Sequence, residues 1–361
     1  MLNKGYHSYR GRQTVGQRLL IAGSLLVLVL ACAFIFLQRY VSYADDGTLH
    51  FDFPFFKEEE VGEEQTAAPT QPDMNLVIGE ENEPEEPEAE PEMPISFDVE
   101  RRLLGLTKLP TDGETLRDKL EQAGANGFVY TVRDNTGRVF YHSAGALRSA
   151  VNAPEGSQNL ETLCLEEDIF SVARFNCLHD SYYAWTNMKD AGICQSSGNI
   201  WYDNISYHWL DADKEKTRRY VVELARECAQ MGFDELMLEE LCYPADGKIE
   251  KIDYSGNSMD KTRALELLLT ELRQVLEPYG TRLTLVLDGR LLDNNAREAY
   301  ITASGVKPDV LLPLVDAVYV QTDDPAAAQS ALAALMGEQA LPLVPICGEA
   351  VEGDNWYLAG S

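Results

Sequence analysis

Residues 218–244 read RRYVVELARECAQMGFDELMLEELCYP, a pattern typical of a helix that leads into a buried strand ending in two adjacent acids. The apolar residues at helical spacing, one stripe of a helix packed on a sheet, are Val221, Leu224, Ala225 and Cys228. Gly232 stands where a helix ends, and the apolar run 233–241 predicts a short strand. In a βα-barrel the chemistry lies at the C-terminal ends of the strands, so Glu239 and Glu240 are the first residues to consider.

The same alternation of apolar runs and helical patterns continues through residues 100–361. The predicted strands are 102–107, 128–132, 169–175, 233–241, 282–288, 317–321 and 343–347. Strands separated by helices imply right-handed crossovers and a parallel sheet, and their number favours a (β/α)8 TIM-type barrel. An eighth strand must be 355–358 or absent, which would leave the barrel incomplete at its C-terminus. A turn at 133–137 also predicts a hairpin with 138–142.

The N-terminal residues predict a membrane anchor. Residues 19–37 carry no charge and are long enough to cross ~30 Å of hydrocarbon. Four basic residues precede this run and only Arg39 follows it closely, which predicts a cytoplasmic N-terminus at 1–18 and a single pass through the cell membrane. Small residues at 31–33 make a cleaved signal peptide or a lipoprotein the competing interpretation. The apolar residues that continue to Leu37 favour the anchor.

Charge separates the next segment from the rest. The whole chain has a net charge of −29, which argues against a nucleic-acid partner. The acids are densest in the proline-punctuated stretch before residue 100, where a run such as EENEPEEP repels itself and has too few apolar residues for a core. We therefore predict that 38–99 is a disordered stalk and that 100–361 is an extracytoplasmic domain.

The sequence predicts no metal and no cofactor. Six cysteines fall within the predicted barrel domain, and none has CxxC spacing. Three histidines in the same domain, His142, His179 and His208, show no metal-ligand spacing, and we interpret them as surface or packing residues. Disulfides among the cysteines stay possible, although a domain of this size does not need them.

Three segments resemble a family of bacterial glycoside hydrolase-like domains with an α-amylase-like (β/α)8 fold. Residues 227–244, ECAQMGFDELMLEELCYP, are similar to the family's EAAKLGFDEIQFDYIRFP, residues 128–137 to its VVIDVKDDDG, and residues 172–175 to its IARI. The resemblance covers residues 101–350 and implies hydrolysis of O-glycosyl bonds in a polysaccharide or cell-envelope glycan. This chain departs from the family pattern at Thr131, which replaces an acid.

Strand alternation selects the residues that face the barrel interior. By this alternation the inward residues are Glu235, Met237 and Glu239 on the fourth strand, Thr284, Val286 and Asp288 on the fifth, and Thr131 and Arg133 on the second. Glycoside hydrolysis requires two carboxyl groups flanking the bond, so Glu239 and Asp288 are the predicted pair. By the resemblance, Glu239 would be the nucleophile and Asp288 or another loop acid the proton donor, with Glu240 a neighbour of the site. The predicted substrate-binding residues are Arg133, Arg174, Trp201 and Tyr319.

Each of these residues also has a purely structural interpretation. Glu239 could be a buried acid that pairs with Arg174 or Arg133, and Asp288 before a glycine suits a strand-ending turn. The aromatic residues of 182–209 could stack on sugar rings or simply bury a long insertion. The corresponding alternative function is a catalytically inactive glycan-binding or envelope-assembly module on the same barrel.

Overall fold

The computed structural model describes residues 41–43, 49–51, 100–337, 341–348 and 355–359. In the N-terminal unit, Val41–Tyr43 and Leu49–Phe51 pair as a two-stranded antiparallel sheet. The predicted span 19–37 and most of the stalk 38–99 lie outside the described residues. Within the described parts, no helix combines the length and apolarity that crossing a bilayer requires.

The C-terminal unit is a closed barrel of eight parallel strands. The strands are β1 Arg102–Leu106, β2 Gly127–Arg133, β3 Phe170–Asn176, β4 Glu235–Glu239, β5 Arg282–Leu287, β6 Ala317–Gln321, β7 Leu343–Cys347 and β8 Trp356–Leu358. Neighbours in sequence are neighbours in the barrel, and β8 pairs with both β7 and β1. The predicted (β/α)8 fold is confirmed, and its uncertain eighth strand is present.

Helices surround the barrel between successive strands. They are α1 Gly113–Ala123, α2 Leu160–Cys164, α3 Ser181–Thr186, α4 Met188–Ala191, α5 Glu215–Gln230, α6 Lys261–Leu276, α7 Arg297–Ser304, α8 Pro308–Leu311 and α9 Pro325–Met336. The stripe predicted on α5 is confirmed, because its apolar residues are fully buried. After α5, Gly232 has φ +91°, a backbone conformation that side chains with a Cβ rarely adopt.

Two hydrophobic cores lie on the two sides of the strands. On β4, Leu236 and Leu238 pack among the residues under the helices, whereas Met237 packs inside the barrel. On β5, Val286 also lies against the interior cluster. The predicted alternation on β4 and β5 is therefore confirmed, and it directs the C-terminal residues of these strands toward the open end of the barrel.

A buried polar network occupies the opposite, N-terminal end of the barrel interior. Glu235, fully buried, accepts hydrogen bonds from Arg101 Nε at 2.8 Å, Tyr319 Oη at 2.6 Å and Thr284 Oγ1 at 2.9 Å. Removing one partner of a buried ion pair of this kind typically costs about 3–5 kcal/mol, because the other charge is left without compensation. We call these four residues the floor network.

A β-bulge overturns the predicted orientation of β2. The register between β2 and β3 shifts between Thr131 and Arg133, so Arg133 does not continue the inward alternation. The turn predicted at 133–137 does return the chain antiparallel to the end of β2: Arg133 and Val139 form an antiparallel bridge, Asp134 N–H donates to Arg138 O at 3.0 Å, and Phe140 N–H donates to Val132 O at 2.9 Å. The pairing is short, because the other main-chain bonds of Val139 go to Ala150 and Asn152.

Candidate active site

The C-terminal ends of the strands surround an open cavity of about 430 Å³. Its polar lining residues are Thr131, Asp134, Asn135, Arg174, Asn176, Glu239, Glu240 and Asp288. In (β/α)8 barrels this end of the barrel carries the active site, since its loops vary while the strands hold the fold. We call this space the mouth cavity.

Glu239, the last residue of β4, is paired with Arg174 of β3 in the mouth cavity. Arg174 Nη2 lies 2.8 Å from Glu239 Oε1, and the two side chains are 37% and 21% exposed, so the pair is accessible from solvent. Burial tends to lower the pKa of Arg174, but the hydrogen bond and charge of Glu239 outweigh it, so the pKa is raised and the guanidinium stays charged. The ion pair therefore fixes the orientation of the Glu239 carboxylate in the cavity.

Glu240 follows directly and has an unusual backbone conformation. Its φ of +50° lies in the left-handed region, which non-glycine residues rarely occupy. The residue is exposed as a whole, but its carboxyl oxygen Oε2 is partly buried and accepts a hydrogen bond from Cys242 Sγ at 3.6 Å. Burial raises the pKa of the Glu240 carboxyl, and the charges of Glu239 and Asp288 raise it further, whereas Cys242 and Arg290 oppose them.

Asp288, which follows β5, is held by Arg290. The Arg290 guanidinium contacts the carboxylate at 2.6 Å and 2.9 Å, and the Arg290 backbone N–H donates to it at 2.9 Å. Burial tends to raise the pKa of Asp288, but these contacts lower it below its usual value. Asp288 also caps the 3₁₀ turn Gly289–Leu291, as the strand-ending interpretation predicts. Sequence analysis did not single out Arg290, whose signal is its position two residues after the acid.

Two further cavities share walls with the mouth cavity. One, of about 250 Å³, also uses Glu240 and Asp288 and is closed by His179, Asp203 and Trp209. The other, of about 480 Å³, also uses the mouth residues Thr131, Asp134 and Arg174. Because each shares lining residues with the mouth cavity, the three form one depression across the end of the barrel.

His179, which the sequence analysis interpreted as a surface or packing residue, lies in the wall of this depression. His179 is nearly fully buried, with Nε2 2.9 Å from Asp203 Oδ2. The Trp209 ring stacks on it with 4.3 Å between centroids, and Trp209 Nε1 donates to the same Asp203 oxygen at 3.1 Å. Burial lowers the pKa of His179 and outweighs the opposing charge of Asp203. His179 therefore contributes a neutral ring to this wall.

Three of the four predicted substrate-binding residues do not reach the mouth cavity. Arg133 is fully buried and pairs with Asp180, because the bulge in β2 turns it under the helices. Trp201 is 1% exposed and donates its indole N–H to a backbone carbonyl at 3.1 Å. Tyr319 belongs to the floor network and is inaccessible to solvent. Only Arg174 lies where the sequence analysis placed it.

The aromatic insertion divides into buried and exposed rings. Trp201 and Trp209 are buried, whereas Trp185 is 60% and Tyr202 is 55% exposed. Trp185 stacks on His208 at 5.4 Å between ring centroids, and Tyr202 meets the same ring edge-on at 6.5 Å. The two interpretations of this segment therefore apply to different residues: two tryptophans bury the insertion, and two other rings are available to a ligand.

The second strand supplies no acid that is free for catalysis. Thr131, at the position of the family's acid, lines the mouth cavity with a hydroxyl. The nearby Asp134 accepts hydrogen bonds from the backbone N–H groups of Thr136 at 2.9 Å and Arg138 at 3.0 Å. Its carboxylate thus stabilises the turn after β2, as its sequence context suggests.

No group of metal-ligating side chains forms within the part of the chain that the structure describes. The six cysteines of the barrel domain are free thiols. The nearest of them to the site, Cys242, is buried, and burial raises its pKa well above the usual value, with the Glu240 charge acting in the same direction. This thiol is therefore a packing group rather than a nucleophile.

Fold and site together define a (β/α)8-barrel protein with an acid-lined C-terminal mouth. The chain belongs to the family described as "Putative glycosyl hydrolase domain", which matches residues 110–299. The match covers more than half of the chain and confirms the glycoside hydrolase part of the resemblance; the α-amylase-like relationship stays a prediction. No curated protein sequence matches this one.

Solved structures are similar to this chain in fold. The PgaB (BpsB) glycoside hydrolase domain from Bordetella bronchiseptica is 13% identical with a TM-score of 0.51, covering 72% of this chain and 93% of that one. A hypothetical protein from Ruminiclostridium thermocellum is 21% identical with a TM-score of 0.41, covering 49% and 90%. The glycoside hydrolase domain of PelA from Pseudomonas aeruginosa is 15% identical with a TM-score of 0.38, covering 68% and 81%. At these identities the likeness concerns the fold alone.

Proposed function

We propose that this protein hydrolyses O-glycosidic bonds of a polysaccharide at the mouth cavity. The observation that carries the proposal is the convergence of Glu239, oriented by Arg174, with three further acids in one open cavity at the C-terminal end of the barrel. Glycoside hydrolysis requires a pair of carboxyl groups on either side of the bond, and this cavity is where the described residues offer one.

The contacts assign different roles to the acids. The Arg174 guanidinium orients the Glu239 carboxylate, which suits the group that acts at the anomeric carbon. An α-amylase-like mechanism would make this fourth-strand carboxylate the nucleophile. Asp288, the predicted partner, has a lowered pKa and therefore carries no proton at neutral pH. Asp288 is thus better suited to accept hydrogen bonds from a sugar than to protonate a leaving group.

The substrate class follows from the remaining features of the chain. The anchor predicted at 19–37 and the stalk predicted at 38–99 would hold the barrel outside the cell membrane, where the accessible glycans are those of the envelope or the surroundings. The exposed rings of Trp185 and Tyr202 offer faces on which sugar rings can stack. The net charge of −29 disfavours nucleic acid.

The decisive experiment measures the reducing ends that the full chain releases from glucans, xylans and peptidoglycan. Glu239→Gln keeps the side-chain shape and removes the charge, so it should abolish release. Glu298→Gln, which changes an exposed acid of α7 away from the cavity, is the matched control and should keep full activity. Turnover by the parent and the control, lost in Glu239→Gln, supports hydrolysis at this site.

One observation favours a second candidate function. Thr131 stands where the family has an acid, so the site lacks one carboxylate of the family pattern. A barrel that binds one of these polymers without releasing reducing ends would be a glycan-binding or envelope-assembly module. Binding that persists in Glu239→Gln together with no turnover by the parent would overturn hydrolysis in favour of this alternative.

A further inference from the structure

The backbone at the end of β4 directs two consecutive acids into the same space. In a strand, neighbouring side chains point to opposite faces, so the residue after Glu239 should turn toward the helices. Glu240 instead adopts φ +50°, and its side chain lines both the mouth cavity and the adjoining cavity of about 250 Å³. A non-glycine residue in this region is strained and persists where the surrounding structure imposes it, often at functional sites.

The four acids of the mouth cavity differ in their partners. Glu239 pairs with Arg174 and Asp288 with Arg290, each through contacts shorter than 3 Å. Asp134 accepts hydrogen bonds from the backbone N–H groups of its own turn. Across the described residues Glu240 forms no salt bridge, and its side-chain contact is the thiol of Cys242. Glu240 is thus the mouth acid that neither a paired arginine nor a turn engages.

We propose that Glu240 is the proton donor of the reaction. This assignment rests on the proposed function and makes Glu240 the partner of Glu239. The Glu240 carboxyl gives its proton to the glycosidic oxygen as the bond to the anomeric carbon breaks, and the bonding electron pair leaves with that oxygen as an alcohol. Glu239 either deprotonates a water that attacks the anomeric carbon, or attacks this carbon itself to form a glycosyl ester, which a water deprotonated by Glu240 then cleaves. One water molecule is consumed in either route. Glu240 regains its proton from that water when Glu239 attacks directly and from solvent in the other route, in which Glu239 passes the water's proton to solvent.

The raised pKa of Glu240 agrees with this role. A general acid benefits from a pKa above the ordinary carboxyl value, and burial of the carboxyl together with the charges of Glu239 and Asp288 shifts the pKa of Glu240 in that direction. Asp288 has the opposite environment because Arg290 lowers its pKa. Two acids whose surroundings move their pKa values apart are the usual sign of divided acid and base roles.

The test compares substrates with poor and good leaving groups, using the full chain. Glu240→Gln should lose about 10²- to 10⁴-fold in polymer hydrolysis. It should stay within about 10-fold of the parent on the dinitrophenyl glycoside of the sugar that the parent releases, since a leaving group of low pKa needs no protonation. The basic limb of its pH–rate profile should disappear. Glu239→Gln should lose both activities, and Asp288→Asn should show no split between the two substrates.

Two measurements separate catalysis from folding. Glu240→Gly relieves the left-handed strain, so it should melt at or above the parent temperature while losing polymer hydrolysis. The infrared band of protonated carboxyls, at pH values above the ordinary glutamate pKa, should lose intensity in Glu240→Gln and keep its intensity in Asp288→Asn; the buried Asp211, whose pKa is also raised, contributes equally in both variants.

Several outcomes would overturn the assignment. Glu240 would not be the donor if Glu240→Gln kept full polymer activity or lost activity equally on both substrates. The same would follow if Asp288→Asn lost polymer hydrolysis but kept activity on the dinitrophenyl glycoside. Each of these outcomes would leave the proposed function in place. A parent that releases no reducing ends from any polymer would overturn the proposed function, and the assignment with it.

Discussion

Tyr319→Phe tests whether the floor network is structural, as its burial indicates, or part of substrate binding, as the sequence suggested. Tyr319 is fully buried, and its hydroxyl donates to Glu235 Oε1 at 2.6 Å. The substitution removes this hydroxyl and keeps the ring in the barrel interior. Glu235 would still accept hydrogen bonds from Arg101 at 2.8 Å and Thr284 at 2.9 Å, so its charge would not be left alone.

The expected cost follows from the one bond lost. A hydrogen bond to a charged acceptor contributes about 1.5–3 kcal/mol, and no cavity larger than an oxygen atom is formed. For a domain of this size, that loss should lower Tm by roughly 4–8 °C. The pKa of Tyr319 is raised well above its usual value by burial and by Glu235, so the hydroxyl stays protonated and the loss should be independent of pH from acid to mildly basic conditions.

The assay is thermal unfolding of the full chain beside measurement of kcat/KM on the polymer that the parent degrades. The reasoning predicts a lower Tm with kcat/KM unchanged, because the floor network lies at the end of the barrel opposite the mouth. Glu235→Ala is the stronger companion, since it removes the acceptor of all three bonds and should cost at least about 3–5 kcal/mol. An unchanged Tm with reduced kcat/KM in Tyr319→Phe would refute the structural role and restore the substrate-binding one.

Two further predictions concern the contact of Arg290 with Asp288 and the exposed rings of the aromatic insertion. Arg290 lowers the pKa of Asp288, so this contact stabilises the fold above about pH 4 and is lost as the pH falls through the lowered value. Arg290→Met should therefore lower Tm at neutral pH and reduce the further decline on acidification; parallel Tm–pH curves would contradict this. Trp185→Ala should weaken retention on polymer by roughly 2- to 10-fold, about 0.5–1.5 kcal/mol, with turnover of the dinitrophenyl glycoside unchanged. Tyr202→Ala should act similarly, and unaltered retention in both would exclude these rings as a sugar platform.

The sequence was sufficient where a simple period governs the structure. The alternation on β4 correctly directs Glu235 and Glu239 inward, and the stripe on α5 correctly directs its apolar face to the barrel. Both inferences succeed because a regular strand or helix has a fixed repeat, so that one well-assigned residue determines its neighbours.

The failures occur where the backbone leaves that repeat. The bulge in β2 sends Arg133 under the helices, and the left-handed backbone of Glu240 returns its side chain to the mouth. No glycine or proline at either position indicates in the sequence that the backbone is irregular there. Long-range burial was equally invisible: Trp201 and Tyr202 are neighbours in sequence, yet one is 1% and the other 55% exposed. The role of Arg290 could have been suspected only from its spacing to Asp288.

The pairing of β8 with β1 sets the order in which this molecule can be completed. The seam joins Trp356 to Arg102, residues separated by almost the whole barrel domain in sequence. During synthesis, one edge of β1 therefore stays unpaired until the three residues of β8 have left the ribosome. Open strand edges attract other chains, and closing so long a loop is slow. Before the barrel closes, the unpaired edge at this seam is thus the part of the chain most prone to aggregation, and the part that a chaperone would shield.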